Sequence, residues 1–352
     1  MLPYWLLFTI FAAGSLQYRR QVDQFHQSAP LLGAAAFFTA LMIGFRFEVG
    51  GDWDNYVGIY EFITEMDFIN ALGEQDPGYA LINWVAGQAG VDIWAVNLAC
   101  ALIFCWGLAK FARSQPNPWL AILVAVPYLI IVVAMGYTRQ AVAIGLVLAG
   151  LSAVQNGAIL RFSVYLLFAV LFHKSAIIVL PLVTLAATQR RIVIFPMMAV
   201  TGLLLYYLFV SASIDRLMNN YVEQEYESQG AAIRVAMNLP PAAIYLLFQR
   251  RFGVDDQQRK LWRNFALAAF FSVVLLVGTA SSTAVDRLAL YLIPLQMFVL
   301  ARMPHAFSNQ GAPSGAMVLF VIAYSAVIQF VWLNYAGHSE LWVPYQVYPL
   351  LE

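Results

Sequence analysis

Residues 119–156 read WLAILVAVPYLIIVVAMGYTRQAVAIGLVLAGLSAVQN, and this stretch decides the fold. Its two apolar runs, 119–136 and 139–156, are each long enough to cross most of a ~30 Å hydrocarbon layer as a helix, and Arg139 at their junction is the only charge. Helices pair their own backbone groups, so such runs suit a solvent that offers no hydrogen bonds.

Outward from this stretch the pattern repeats to both ends. The 352-residue chain is 62% hydrophobic and 11% charged. Spans are predicted at about 2–16, 30–45, 92–109, 119–136, 139–156, 161–173, 175–188, 192–210, 233–249, 264–280, 287–302 and 314–334. The run 161–188 is too long for one ordinary span and is interrupted by His173-Lys174-Ser175, so it is divided there; a bent or re-entrant pair serves equally well. The first run lacks the basic flank and small-residue cleavage site of a signal peptide and reads as a retained span. The expectation is one all-α polytopic domain over 1–352, with about twelve transmembrane helices and short helices on the outer face. Cys100 and Cys105 lie in one apolar run and read as buried thiols, with neither disulfide nor metal expected.

Basic residues orient the drawing. Arg19, Arg20, Lys110, Arg113, Arg161, Arg190, Arg191, Arg250, Arg251, Arg259, Lys260, Arg263 and Arg302 fall on one side, which is expected to be cytoplasmic, with both termini outside. Most acids then face out, in two long outer loops at 46–91 and 211–232. The first begins RFEVGGDWDNY and carries an apolar stretch around Tyr79–Ala89 that predicts a short interfacial helix. The second reads as a water-facing acidic cap whose tyrosines either stack on sugar rings or belong to an interfacial aromatic belt. No P-loop, dinucleotide fingerprint, repeat or nucleic-acid signature is present, and the formal net charge is zero.

Ionisable groups near membrane depth are costly, which makes them functional candidates. Five cations sit on the outer half at span ends: Arg46, Arg139, His173 if protonated, Lys174 and Arg287. Each enters from a different span, the pattern of an anion site assembled from several helices. Arginine suits phosphate because its planar fork donates two parallel hydrogen bonds and keeps its charge in low dielectric. Singly, Arg46 and Arg287 read equally as structural ion-pair partners, Arg287 with Asp286 or Asp52, and His173 as a satisfied buried histidine. Asp52 and Asp54 lie in GGDWDN, and in a helix they diverge by about 200°. One functional carboxylate, Asp52, is therefore expected, with calcium binding or a solvated turn as the alternative. A carboxylate that takes a hydroxyl proton beside a pocket for an anionic leaving group is the minimum apparatus for metal-free glycosyl transfer.

The string Arg46-x-x-x-Gly50-Gly51-Asp52-Trp53-x-Asn55-Tyr56, then Asp76-Pro77-Gly78-Tyr79 with Asn83, Arg139-Gln140, His173-Lys174-Ser175, Arg287-x-x-x-Tyr291 and the terminal Trp342-Val343-Pro344-Tyr345 resembles the EpsG family. These are Wzy-like bacterial exopolysaccharide polymerases. The chain departs from the family pattern at Asp76, where the family has glutamate, and at Gly51, where Gly-Thr-Asp is usual. The resemblance implies a glycosyltransferase, of GT-C-like architecture as one option, at the outer face of the bacterial inner membrane. It implies an undecaprenyl-pyrophosphate-linked oligosaccharide as substrate, the growing glycan passing to the non-reducing end of the incoming repeat. It also implies a flippase and chain-length or export proteins as pathway partners, with no nucleic acid. On this reading Asp52 is the base with His173 as runner-up. Arg46, Arg139, Lys174 and Arg287 hold pyrophosphate, and Asp54, Tyr56, Tyr79, Tyr137, Gln140 and Tyr291 meet sugar. No cofactor or metal is expected. Competing functions are a lipid-linked oligosaccharide flippase, a membrane acyltransferase and a glycan ligase.

Overall fold

A computed structural model describes residues 1–18, 22–74, 76–186, 195–196, 198–200, 202–203, 230–278, 282–308 and 312–348. All regular elements among these residues are helical, joined only by an isolated antiparallel bridge between Arg46 and Val347. In chain order the helices are α1 Leu2–Gln17, α2 Val22–Gly44, α3 Trp53–Thr64, α4 Phe68–Leu72, α5 Pro77–Gln88, α6 Ile93–Arg113, α7 Pro118–Ala125, α8 Thr138–Gln155, α9 Ile159–Phe172 and α10 Val179–Thr184. After residues 204–229 follow α11 Ala231–Ala236, α12 Leu239–Phe248, α13 Asp256–Gly278, α14 Ser282–Ala289, α15 Ile293–Ala306 and α16 Gly315–Tyr335.

Among the described residues six helical stretches are long and apolar enough to cross a membrane: Ile93–Arg113, Thr138–Gln155, Ala231–Phe252, Asp256–Gly278, Ser282–Ala306 and Gly315–Tyr335. Among the described residues five shorter apolar helices accompany them, at Leu2–Gln17, Ala29–Gly44, Pro118–Ala134, Ile159–Phe172 and Lys174–Thr184. The expected span 192–210 and most of the loop 211–232 lie outside the described residues. After α7 the chain continues as a π-helix over Val126–Ala134, so that one helical run covers most of the expected span 119–136. The predicted break at His173 is present. Its backbone is extended (φ −159°, ψ 112°) between α9 and a 3-10 turn at Lys174–Ile178. Large apolar side chains such as Leu247, Val277, Leu319 and Val327 stay exposed on the helix faces, as a lipid-facing surface requires.

The core is built around α8, nearly all of whose residues are buried. It packs on α6 and α9, and its approach to α6 is set by two glycines. A Cβ on Gly107 collides with the carbonyl of Gly145, and a Cβ on Gly145 lies 2.7 Å from the Cα of Phe104. Small residues at such a crossing let backbones touch, and dispersion over the contact then holds the pair. The outer loop 46–91 folds into α3, α4 and α5 rather than a single short helix. In α3 the residues Tyr56 and Ile63 are buried, a one-face helical pattern.

Gly145→Ala is expected to separate α6 from α8 at a cost of about 1–3 kcal/mol. Thermal unfolding of the purified protein in detergent checks this, and an unchanged midpoint contradicts it.

Candidate functional site

Four aspartates precede helices between residues 52 and 92, and they divide by what their side chains do. Asp67 accepts hydrogen bonds from the backbone of Ile69 and Asn70, and Asp92 from that of Ile93, so both cap the helices they start. Asp52 and Asp76 occupy the same position before α3 and α5, yet neither side chain caps its helix. The Asp76 carboxylate turns instead to the start of α8. Asp76 accepts from Arg139 Nη1 at 2.5 Å, and the Arg139 guanidinium also lies over the Tyr56 ring, 5.8 Å from its centroid. Asp52 lies within electrostatic reach of Arg287 and Arg139.

The first turn of α8, with Tyr137 before it, has no side-chain cap either. Three helix N-termini that lack a side-chain cap, those of α3, α5 and α8, therefore send Asp52, Asp76 and Arg139 into one group. Each helix start carries a partial positive charge, which favours an anion nearby. Cations from other elements join them. Lys174, at the break after His173, acts on Asp76, while Arg139 and Arg287 both act on His173. Burial first, and then the two guanidinium groups, hold the His173 imidazole well below its ordinary value, so it does not add a further positive charge.

Burial pushes the Asp52 carboxyl above its ordinary value, while Arg287 and then Arg139 pull it back. Burial likewise raises the Asp76 carboxyl, with Arg139 opposing. A carboxylate raised in this way yet held ionised by its neighbours is a competent proton acceptor.

The structure thus brings together Asp52, Tyr137, Arg139, His173, Lys174 and Arg287. Several other candidates sit elsewhere or do other work. Arg46 is 1% exposed and donates to the carbonyls of Ile43 and Val49, Asn97 Oδ1 and Thr138 Oγ1. Its guanidinium is committed to the protein, which corrects the phosphate-binding role expected for it. Asp54 is exposed, one residue past the Asp52-Trp53 corner. Tyr56, Tyr79 and Tyr291 are 3, 2 and 0% exposed. Tyr56 meets Tyr79 edge-on at 5.6 Å, and Tyr291 bonds with Ser175, so these three frame the site and do not offer open faces to sugar. Gln140 is buried and donates through Nε2 to the Arg287 carbonyl at 2.6 Å, tying α8 to α14.

One residue escaped the sequence reading. Arg234 on α11 makes a two-pronged ion pair with Asp286, both bonds at 2.7 Å, and acts electrostatically on Tyr137. An arginine at the outer mouth of a predicted span met the criterion that selected the others. The pair also takes up Asp286, leaving its neighbour Arg287 near Asp52.

A family model described as the EpsG family matches residues 31–347, which takes in every residue of this site. The chain belongs to the EpsG family. No curated protein and no solved structure matches it. As an EpsG-family member with several helices able to span a bilayer, it is a multi-pass, polysaccharide-polymerase-like membrane protein of glycosyltransferase type.

Asp76→Asn leaves Arg139 largely buried beside an amide, at a cost of about 3 kcal/mol. The expected result is a clear drop in unfolding midpoint, larger than that of Asp67→Asn, which keeps a capping side chain at an exposed helix start. Equal midpoints for the two variants contradict a central role for the Arg139–Asp76 pair.

Proposed function

We propose that this EpsG-family protein is a repeat-unit polymerase at the outer face of the bacterial inner membrane. It transfers a growing glycan from undecaprenyl pyrophosphate to the non-reducing end of an incoming lipid-linked oligosaccharide. The observation that carries the proposal is Asp52, a helix-leading carboxylate that forgoes capping and lies under the charges of Arg287 and Arg139.

In the proposed reaction an acceptor hydroxyl oxygen attacks the anomeric carbon of the donor chain. The bond from that carbon to the pyrophosphate oxygen breaks, and the lipid pyrophosphate departs with the electron pair. The hydroxyl proton passes to Asp52. Charge growing on the departing oxygen is met by Arg139, Arg287 and Lys174 and by the N–H groups at the start of α8. Donors already aimed at developing charge stabilise it without reorganising, a contribution of about 2–4 kcal/mol per group. His173, uncharged beside two arginines, serves as a hydrogen-bonding partner for substrate or as an alternative proton acceptor. Tyr137 and Asp54 remain on the sugar side in this proposal. Arg46, Tyr56, Tyr79, Gln140 and Tyr291 support the frame. Collection of the site at one end of the helices, opposite Arg302 and its partners Gln115 and Ser114, favours one-sided chemistry over passage through the bilayer.

Purified protein in nanodiscs, given the lipid-pyrophosphate repeat of its own pathway and no nucleotide sugar, is expected to yield a glycan ladder spaced by one repeat. Arg287→Ala is expected to reduce the rate at least about 100-fold. Absence of a ladder from folded protein with authentic substrate contradicts the proposal.

The rate also carries a pH signature. Asp52 must be ionised, and its carboxyl lies above the ordinary value, so activity falls as pH drops through that raised value. Losing the Arg287 charge removes a stabiliser of the carboxylate. The acid limb of the residual activity in Arg287→Gln therefore moves to higher pH, and an unmoved limb contradicts the assignment of Asp52 as base.

A further inference from the structure

After α16 the chain returns across the outer end of the molecule and runs alongside the loop that carries Asp52. The Gly50 N–H donates to the Leu341 carbonyl at 2.8 Å, the Phe47 N–H to Gln346 at 3.0 Å, and the Tyr348 N–H to Phe45 at 2.8 Å. Arg46 and Val347 bridge between them. The Tyr345 hydroxyl donates to the Met42 carbonyl at 2.8 Å, and the Tyr348 hydroxyl to Asp92.

At the centre of this strap lies Trp342, 3% exposed. Its Nε1 donates to the Ile131 carbonyl in the π-helical stretch at 2.8 Å, and its own carbonyl accepts from the Tyr4 hydroxyl at 2.6 Å. The indole rests against Gly136, where an added Cβ lies 2.5 Å from the ring, and near Gly51, where one lies 3.6 Å away. Gly50, at φ +109°, presses on the Met135 carbonyl from the opposite direction, a conformation and a clearance that only glycine allows. The indole therefore lies against the turn entering Arg139 and close to the turn ending in Asp52, which the neighbouring Leu341 carbonyl holds through the Gly50 N–H.

We infer that Trp342 is a positioning residue and the 339–348 strap a working part of the catalytic frame, setting Asp52 against Arg139 without itself touching substrate. This inference rests on the proposed polymerase activity for its kinetic consequence but not for its structural one. Placement errors of about 1 Å in such a site cost on the order of 100-fold in rate.

The test compares wild type, Trp342→Ala, Trp342→Phe and Gly136→Ala in nanodiscs by hydrogen exchange and by polymerisation kinetics. Trp342→Phe keeps a ring but loses the bond to Ile131. Gly136→Ala displaces the indole from its other side, so two variants milder than the truncation carry the test. The expected result is faster exchange confined to residues 45–56 and 134–141, with kcat lowered about 100-fold in Trp342→Ala at little change in KM. The acid limb also shifts, because the distance from Asp52 to its arginines has changed. A merely structural role predicts faster exchange throughout and an unmoved pH limb, and either overturns the inference. So does unchanged exchange in 45–56, or wild-type turnover per folded molecule in all three variants. Localised exchange in the variants together with no polymer from wild type leaves the strap standing and refutes the polymerase reading instead.

Discussion

The ion pair between Arg139 and Asp76 is the constraint on which the rest of the site depends. Arg139 opens the most buried of the six long spans among the described residues, where an unpaired guanidinium is expensive. Asp76 relieves that cost, and in doing so it gives up the capping of its own helix and draws the start of α5 to the start of α8. Asp52, also released from capping, completes the group from the neighbouring α3. Asp76 on Arg139 and Asp52 under Arg287, with Lys174 alongside, set three cations against two carboxylates, a balance that favours a ligand bringing further negative charge.

That balance depends on rigid packing below it. Gly107 and Gly145 bring α6 and α8 into backbone contact, and Gln140 ties the entry of α8 to the carbonyl of Arg287. The bidentate pair of Arg234 with Asp286 fixes α14 against α11, so Arg287 is left to face Asp52. Arg46 contributes from underneath by bonding Thr138, the residue before Arg139. Arginines in this protein therefore play two parts: some keep backbone segments together, and others remain at the mouth of the site.

Much of this was legible in the sequence because membrane chemistry makes charge conspicuous. Arg139 stands alone between two apolar runs, and His173-Lys174 interrupts another, so both were visible as exceptions. Arg46 looked identical in pattern but lies just past the end of α2, where a guanidinium can satisfy the helix's last carbonyls, and it bonds Ile43 in that way. The tyrosines were misjudged for a related reason. Composition places Tyr56, Tyr79 and Tyr291 near the outer face but does not say which way each ring points, and all three point inward. The pair Arg234–Asp286 spans 52 positions and follows no local rule. The short outer helices were under-read because α3 mixes charged and aromatic residues, and its one-face pattern is weaker than the uniform apolarity of a span.

The measurement that bears most directly on the account is a cryo-electron microscopy structure of the protein in nanodiscs with undecaprenyl pyrophosphate. Pyrophosphate density against Arg139 and Arg287 at the entry of α8, with Asp52 facing its terminal oxygen, is the predicted result. Density at the opposite, basic end of the helices, or none at saturating ligand, contradicts the claim that this cluster is the site of glycan transfer.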